Sequence, residues 1–366
     1  MKIDLDVKQF WKENAVCLDR FDTNKPRIAL DFWLDDHFLI ESMNPPSTIR
    51  YYEDFRYRMG LHRELNDAVE RVIGRRFYEE EEFEQPVPNR FEVIMGSYWK
   101  MTEGGTPWLE STVESIDDVK ALIRKAQKLD MKKAAFPEGW TEKKIAWENA
   151  TGRKIKLGGT FSRGPATMAT SILGTTNTCL FIMIEPEVMD EFFALLGEKL
   201  VEYHLALMED TGNDVRAGYQ FNDDNCYLFP PAQYERFCAP VLERVFAEFA
   251  PLPEHKRYQH SDSAMGHLMG ILNGLGVNRV NFGPTLHPAE IRKAMPDAVI
   301  YGQIPPFTLR NGTPEEIIET VRRDIAAVGG DGKLVECPAG SVAGGTPLEN
   351  LKIYMWAVYT YGRFSA

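Results

Sequence analysis

The chain has 366 residues, 44% of them hydrophobic, with 42 Lys+Arg against 54 Asp+Glu and a formal net charge of −12. That is ample apolar material for a sizeable core, while the acidic balance argues against a nucleic-acid partner and against a polybasic membrane patch. The chain also lacks an apolar run long enough to span a bilayer or serve as a signal peptide, and its five scattered cysteines suit a reducing compartment, so a cytoplasmic protein is expected.

In chain order, "RIALDFWL" (27–34) reads as a strand and "DFRYRMGLHRELNDAVERVIG" (54–74) as a helix. "EEEEF" (79–83) reads as a solvated acidic run, and "RFEVIMGSYWKMTEGGTPWLES" (90–111) as a hairpin turning at Gly-Gly. "SIDDVKALIRKA" (115–126) opens with a Ser cap and acidic residues before an apolar helical period. From about residue 153 the pattern becomes regular. Strands are predicted at "KIKLGGT" (154–160), "VRAGYQFND" (215–223), "KRYQH", "VNRVNFG", "AVIYGQI" and "GKLVECP". Helices are predicted at "GPATMATSILG" (164–174), "EPEVMDEFFALLGEKLVEYHLALMEDTG" (185–212), "PAQYERFCAPVLERVFAEFA" (231–250, broken or kinked near Pro240), "SAMGHLMGILNGLG", "HPAEIRKAM", "TPEEIIETVRRDIAAVGG" and "TPLENLKIYMWAVYTYG".

Strands alternating with helices imply parallel pairing, in an open doubly wound sheet or a closed (β/α)8 TIM barrel. No G-x-G-x-x-G follows an early strand, which favours the barrel. The expectation is one domain over 1–366, with 1–150 supplying an N-terminal helical and hairpin extension plus the first strand, and 151–366 the regular units.

In such a barrel, chemistry gathers where strands end. Those positions hold Asn222, Asp223, Asp224 and Cys226 after one strand, His260 and Asp262 after the next, then His287, Gln303 and Cys337. Imidazole, thiolate and carboxylate together form a mixed donor set that Zn²⁺ accepts, and residues two apart after a strand project to one side. Each position also has an ordinary explanation: a His as a loop hydrogen-bonder, a Cys as a small buried hydrophobe, Asp223–Asp224 as a cap of the helix beginning near Pro231 or an Asx-turn. The Gly-rich "LGGTFSRGPATM" (157–168) reads either as an anion cradle beside Arg163 or as a tight turn. Trp33, His37, Phe161 and Arg163 are expected to line a substrate site. His62, His204 and His255 read as packing or surface residues.

The run from "HSDSAMGHLMGILNGLG" through "GTPEEI", "GKLVECPAG" and "PLENL" resembles the C-terminal half of the uroporphyrinogen decarboxylase superfamily, as do "IEPEVMDEFFALLGEKL" and the "NDD" after a strand. The resemblance spans roughly 150–366. It implies either a metal-free tetrapyrrole decarboxylase or a zinc methyltransferase serving corrinoid proteins or coenzyme M. The decarboxylases' Arg-rich N-terminal loop is missing, and "DFWLDDHF" is acidic where an anionic tetrapyrrole would sit. The methyltransferases' His-x-Cys pair falls on His260 and Asp262, a departure at the Cys. Their distant Cys falls on Cys337 and their acidic ligand near Asp223 or Asp224, of which Asp224 is preferred. His260, Cys337 and Asp224 are thus the expected metal ligands. Asp262, a fourth ligand or a partner beside the metal, joins Asp223 and Gln303 as candidate reacting groups. Carboxylate in place of thiolate hardens the site, suiting an O- or N-methylated donor better than a thiol acceptor. The implied cofactors are zinc and a corrinoid (cobalamin) on a partner protein. Alternatives are a metal-free decarboxylase or lyase, or a non-catalytic ligand-binding member.

Overall fold

A computed structural model describes residues 3–157 and 160–364. Among them, β1 is Ala29–Leu30, β2 Tyr98–Lys100, β3 Trp108–Glu110, β4 Phe161–Arg163 and β5 Gly218–Asn222. β6 is Lys256–Ser261, β7 Arg279–Phe282, β8 Val299–Tyr301 and β9 Leu334–Glu336. The chain groups into two compact units, one of Met1–Glu81, Met101–Thr106 and Asn278–Ala366, the other of Glu82–Lys100 and Pro107–Val277.

The first unit carries four parallel strands in the order β1-β9-β8-β7. Apart from the half-buried Arg279 and Tyr301, their residues are buried on both faces, as parallel strands covered by helices require, and Asn281 and Glu336 are buried among the apolar ones. Of the strand expected over 27–34, Ala29–Leu30 pair with β9, Asp31 N–H still reaches Glu336 O at 2.8 Å, and Arg27 forms an isolated antiparallel bridge with Arg363. Its core joins Phe10, Leu30 and Phe38 to residues of the helices Phe55–Ile73, Pro314–Val328 and Leu348–Tyr361. Thr313 and Glu316 form a capping box at the start of Pro314–Val328, which "GTPEE" encodes.

The second unit carries the parallel strands β4-β5-β6 and the antiparallel hairpin β2-β3. Its long helix Pro186–Thr211 begins after Glu185 with Pro at the first turn and ends on Gly212 in the left-handed region, as the sequence predicts. The strand expected at 154–160 falls later, at β4; Ile155 instead packs on Trp140 and Trp147, and Gly158 and Gly159 lie outside the described residues. Phe91–Ile94, expected in the hairpin, forms a helical turn before it. Ahead of Pro240 the helix does not break but widens into a π-turn over Tyr234–Cys238, with Ala239 N–H bonding Tyr234 O. Pro240 has no N–H and crowds the carbonyl four residues back, and the wider turn relieves that crowding.

Two carboxyls are enclosed in the first unit. Glu336 is fully buried; Tyr354 O–H donates to its Oε2 at 3.1 Å, and its Oε1 has no partner among the described residues. Burial, then the nearby Asp324, pushes the Glu336 carboxyl well above the ordinary Glu value of 4.5. The folded protein therefore keeps this proton while the unfolded chain releases it, so stability is full below pH 4.5 and declines as pH rises towards the folded value. Glu336→Gln is expected to remove that decline. Thermal unfolding midpoints measured from pH 4 to pH 8 should show the variant gaining on the parent as pH increases.

Candidate metal centre

The parallel register sets Arg163, Asn222 and His260 side by side on one face of β4-β5-β6. Alternation sends Ser162, Phe221 and Gln259 to the other face. Just beyond this row, the ends of β5 and β6 are cross-tied. Asp223 N–H donates to His260 O at 2.9 Å, and Asp262 N–H donates to Asp224 Oδ1 at 2.9 Å.

Those ties gather Asp224, His260 and Asp262, whose ligand atoms lie within 4.8 Å of one another. His260 Nε2 is 3.4 Å from Asp262 Oδ1 and 3.9 Å from Asp224 Oδ1. Ligands about 2.0–2.2 Å from one Zn²⁺ stand at such separations, so the nitrogen and two oxygens fit a divalent cation with a coordination position to spare. The imidazole is 10% exposed and the carboxylates 45% and 57%, so the cluster is walled on its nitrogen side and open on its oxygen side.

Asp223, adjacent in sequence, has a different environment. It is fully buried; Thr167 N–H donates to Oδ1 at 2.8 Å and Tyr234 O–H to Oδ2 at 3.2 Å. Thr167 lies in the first turn of helix Pro165–Leu173, whose own cap is Gly164 with no side chain to offer, so Asp223 caps that helix from a neighbouring strand. Burial raises the Asp223 carboxyl to about 7 against the lowering pull of Thr167. The capping alternative noted for "DD" thus applies to the helix at Pro165, not to the one near Pro231.

A cavity of about 350 Å³ adjoins the cluster in the same unit, with Asp224 and Asn222 in its wall. Phe161 and Arg163, both expected at a substrate site, line it. Arg163 Nε pairs with Glu92 Oε1 at 3.1 Å, and its Nη1 donates to Ser171 Oγ at 3.3 Å. Arg90, stacked on Trp99 at 5.0 Å, is a second cation in the wall. His204 also lines the cavity, 1% exposed, edge-on to Tyr203, Tyr219 and Phe249, with neither ring nitrogen hydrogen-bonded among the described residues.

The remaining sequence candidates fall in the other unit. Cys337 follows β9, fully buried, its Sγ 3.8 Å from Asn281 Nδ2, and burial pushes its thiol well above the ordinary value. Gln303 is buried, its side-chain nitrogen donating to the carbonyls of Phe282, Gly283 and Leu286. Trp33 is 37% exposed, and His37 faces Glu41 at 3.4 Å. His287 caps helix Pro288–Ala294. Sequence reasoning missed Arg90, Glu92 and His204. For His204 a signal was present: with Leu200, Tyr203 and Leu207 it shares the apolar face of its helix.

A Cβ on Gly164 would stand 2.3 Å from Asp223 Cβ and Cγ. Gly164→Ala is therefore expected to push Asp223 off its cap and lower unfolding stability by about 1–3 kcal/mol in denaturant titration. Burial lowers the His204 imidazole from 6.5 to about 4. A depressed His gives stability that is present above pH 6.5 and lost as pH falls through about 4, up to about 3 kcal/mol. His204→Phe should flatten stability over that window in the same titration.

A family model for uroporphyrinogen decarboxylase (URO-D) matches residues 92–361. Among solved structures, a methyltransferase from Methanosarcina mazei aligns with a TM-score of 0.62, over 97% of this chain and 99% of its own, at 15% identity. A B12-independent methionine synthase from Shewanella sp. W3-18-1, in complex with selenomethionine, aligns at a TM-score of 0.38, 14% identity, 81% of this chain and 85% of its own. The first likeness shows a shared fold, the α/β barrel class expected from the alternating units; the second is too weak to add to it. No curated protein matches the chain.

Proposed function

The chain belongs to the uroporphyrinogen decarboxylase family, and from that premise we propose that it is a metal-assisted methyltransferase. It would move a methyl group from a small O- or N-methylated compound to a corrinoid protein. The observation that carries this reading is the His260–Asp224–Asp262 cluster, set at strand ends beside a cavity large enough for a small donor. The fold shared with a methyltransferase supports it.

His260, Asp224 and Asp262 would hold a zinc ion, which when bound supplies Lewis-acid stabilisation of the electron pair left on oxygen or nitrogen as the methyl departs. The chain's own groups do the rest. The Asp262 N–H to Asp224 Oδ1 bond fixes one carboxylate against the other strand, so the oxygens are positioned before any cation arrives. Two carboxylates beside one imidazole balance a dication without excess charge. The open oxygen side leaves room for the donor and for a corrinoid approaching from solvent. Asp223 anchors this corner from beneath through Thr167 and Tyr234.

The reading predicts about one zinc per chain in protein purified without added metal, and its loss in His260→Ala and in Asp224→Asn. Cob(I)alamin methylation from a panel of methyl ethers and methylamines should fall at least about 100-fold in the same variants. Cys337→Ser reports whether the sulfur donor implied by the family resemblance contributes. Metal-free protein with His260→Ala behaving as the parent would favour the decarboxylase or lyase alternative. A panel without turnover, with tight ligand binding, would favour a carrier.

A further inference from the structure

The row at the ends of β4, β5 and β6 holds three polar side chains, and two of them are committed. Arg163 is bonded to Glu92 and Ser171. His260 stands beside Asp224 and Asp262. Asn222, between them, is half-buried in the cavity wall, and its side-chain amide has no hydrogen-bond partner among the described residues. Its backbone carbonyl takes Gly164 N–H at 2.7 Å, so the residue itself is anchored. Polar groups drawn partly out of water are ordinarily paired. This one lines the cavity next to the cluster with its donor and acceptor unused.

We infer that Asn222 binds the donor's methylated heteroatom together with the cluster, and that the two in combination select O-methyl over N-methyl donors; the inference rests on the reading above and narrows it. Asn222 is the register partner of His260 and shares its face. Neighbouring strands are about 4.8 Å apart, so an amide and an imidazole in register converge on one small atom. Lone pairs then decide the selectivity. An ether oxygen has two, one for the cluster and one to accept from Asn222 Nδ2–H. An amine nitrogen has one and a quaternary nitrogen none, and either leaves the amide unmatched. In the transfer the C–O bond breaks, the methyl carbon bonds to the reduced acceptor, a cob(I)alamin-type nucleophile, and the C–O electron pair stays on oxygen. The negative charge growing there meets an N–H already in place, in a cavity whose Phe161, Met168 and Tyr203 solvate it poorly.

The first test is binding, read apart from turnover. 4-Nitrophenol, which supplies the oxyanion such a donor leaves behind, and its methyl ether 4-nitroanisole are titrated spectrophotometrically into the zinc-loaded full chain at a pH where the phenol is ionised. The phenolate is expected to bind the parent at least about tenfold tighter than Asn222→Ala, the range of a hydrogen bond to a charged group, and the uncharged ether should lose less. Asn222→Asp keeps the shape without an N–H and should lose at least as much phenolate affinity. Because the amide bonds no protein group among the described residues, zinc content and the thermal unfolding midpoint of Asn222→Ala should match the parent's. In turnover with cob(I)alamin, Asn222→Ala should lower kcat for anisole about 100-fold while leaving N-methylaniline little changed. Unaltered phenolate binding in both variants, no phenolate binding to the parent, or equal losses for ether and amine would overturn the inference. Phenolate binding that depends on Asn222, without methyl transfer from any donor, would keep the oxyanion site and remove the methyltransferase reading. Ether turnover untouched by Asn222→Ala would do the reverse.

Discussion

The parallel register of β4, β5 and β6 is the constraint from which the rest of the second unit follows. Pairing Arg163 with Asn222 and Asn222 with His260 puts a guanidinium, an amide and an imidazole in one row at the strand ends. Because side chains alternate, a slip of one residue would turn all three towards the packed side and bring Ser162, Phe221 and Gln259 to the row instead. The backbone bond from Asp223 to His260 and the bond from Asp262 N–H to Asp224 lock the two strand ends at that register. Cluster and cavity are therefore two products of one pairing pattern.

Within that frame, two neighbouring carboxyls have opposite roles because they point into different surroundings. Asp223 is enclosed, caps a helix, and is raised to about 7 by burial. Asp224 emerges beside His260, half-exposed, where a cation can reach it. Burial and hydrogen bonding, not residue type, divide the work. Gly164 belongs to the same arrangement, since the helix can approach Asp223 only where no side chain intervenes.

Much of this was readable in the sequence. The alternation of strands and helices after residue 160, the capping signals of the longer helices, and the family resemblance all reflect local periodicity and turn chemistry. His260, Asp262 and Asp224 could be singled out because strand ends are where side chains meet, and the structure gathers the three. Other features depended on distance in space. That Asp223 caps the helix at Pro165 requires knowing which helix lies beside β5. Phe161 was placed among substrate-facing residues although its strand lies later than the apolar run at 154–157 suggested. Glu92 and His204 come from elements read as a hairpin and as a packing helix, and only tertiary contacts turn them towards one cavity. Trp33, His37, Gln303 and Cys337 belong to the other unit; strand-end position pointed to them, with the family resemblance added for Cys337.

The π-turn at Tyr234–Cys238 has an evolutionary corollary. Its surplus residue sets the bearing of Tyr234, whose hydroxyl reaches Asp223. Each residue of a helix advances the azimuth by about 100°. A single-codon deletion between Tyr234 and Pro240 would restore ordinary winding and rotate the phenol away by more than a quarter-circle. Lineages that keep this Tyr–Asp pair should tolerate changes of side chain along that turn far more readily than changes in its length.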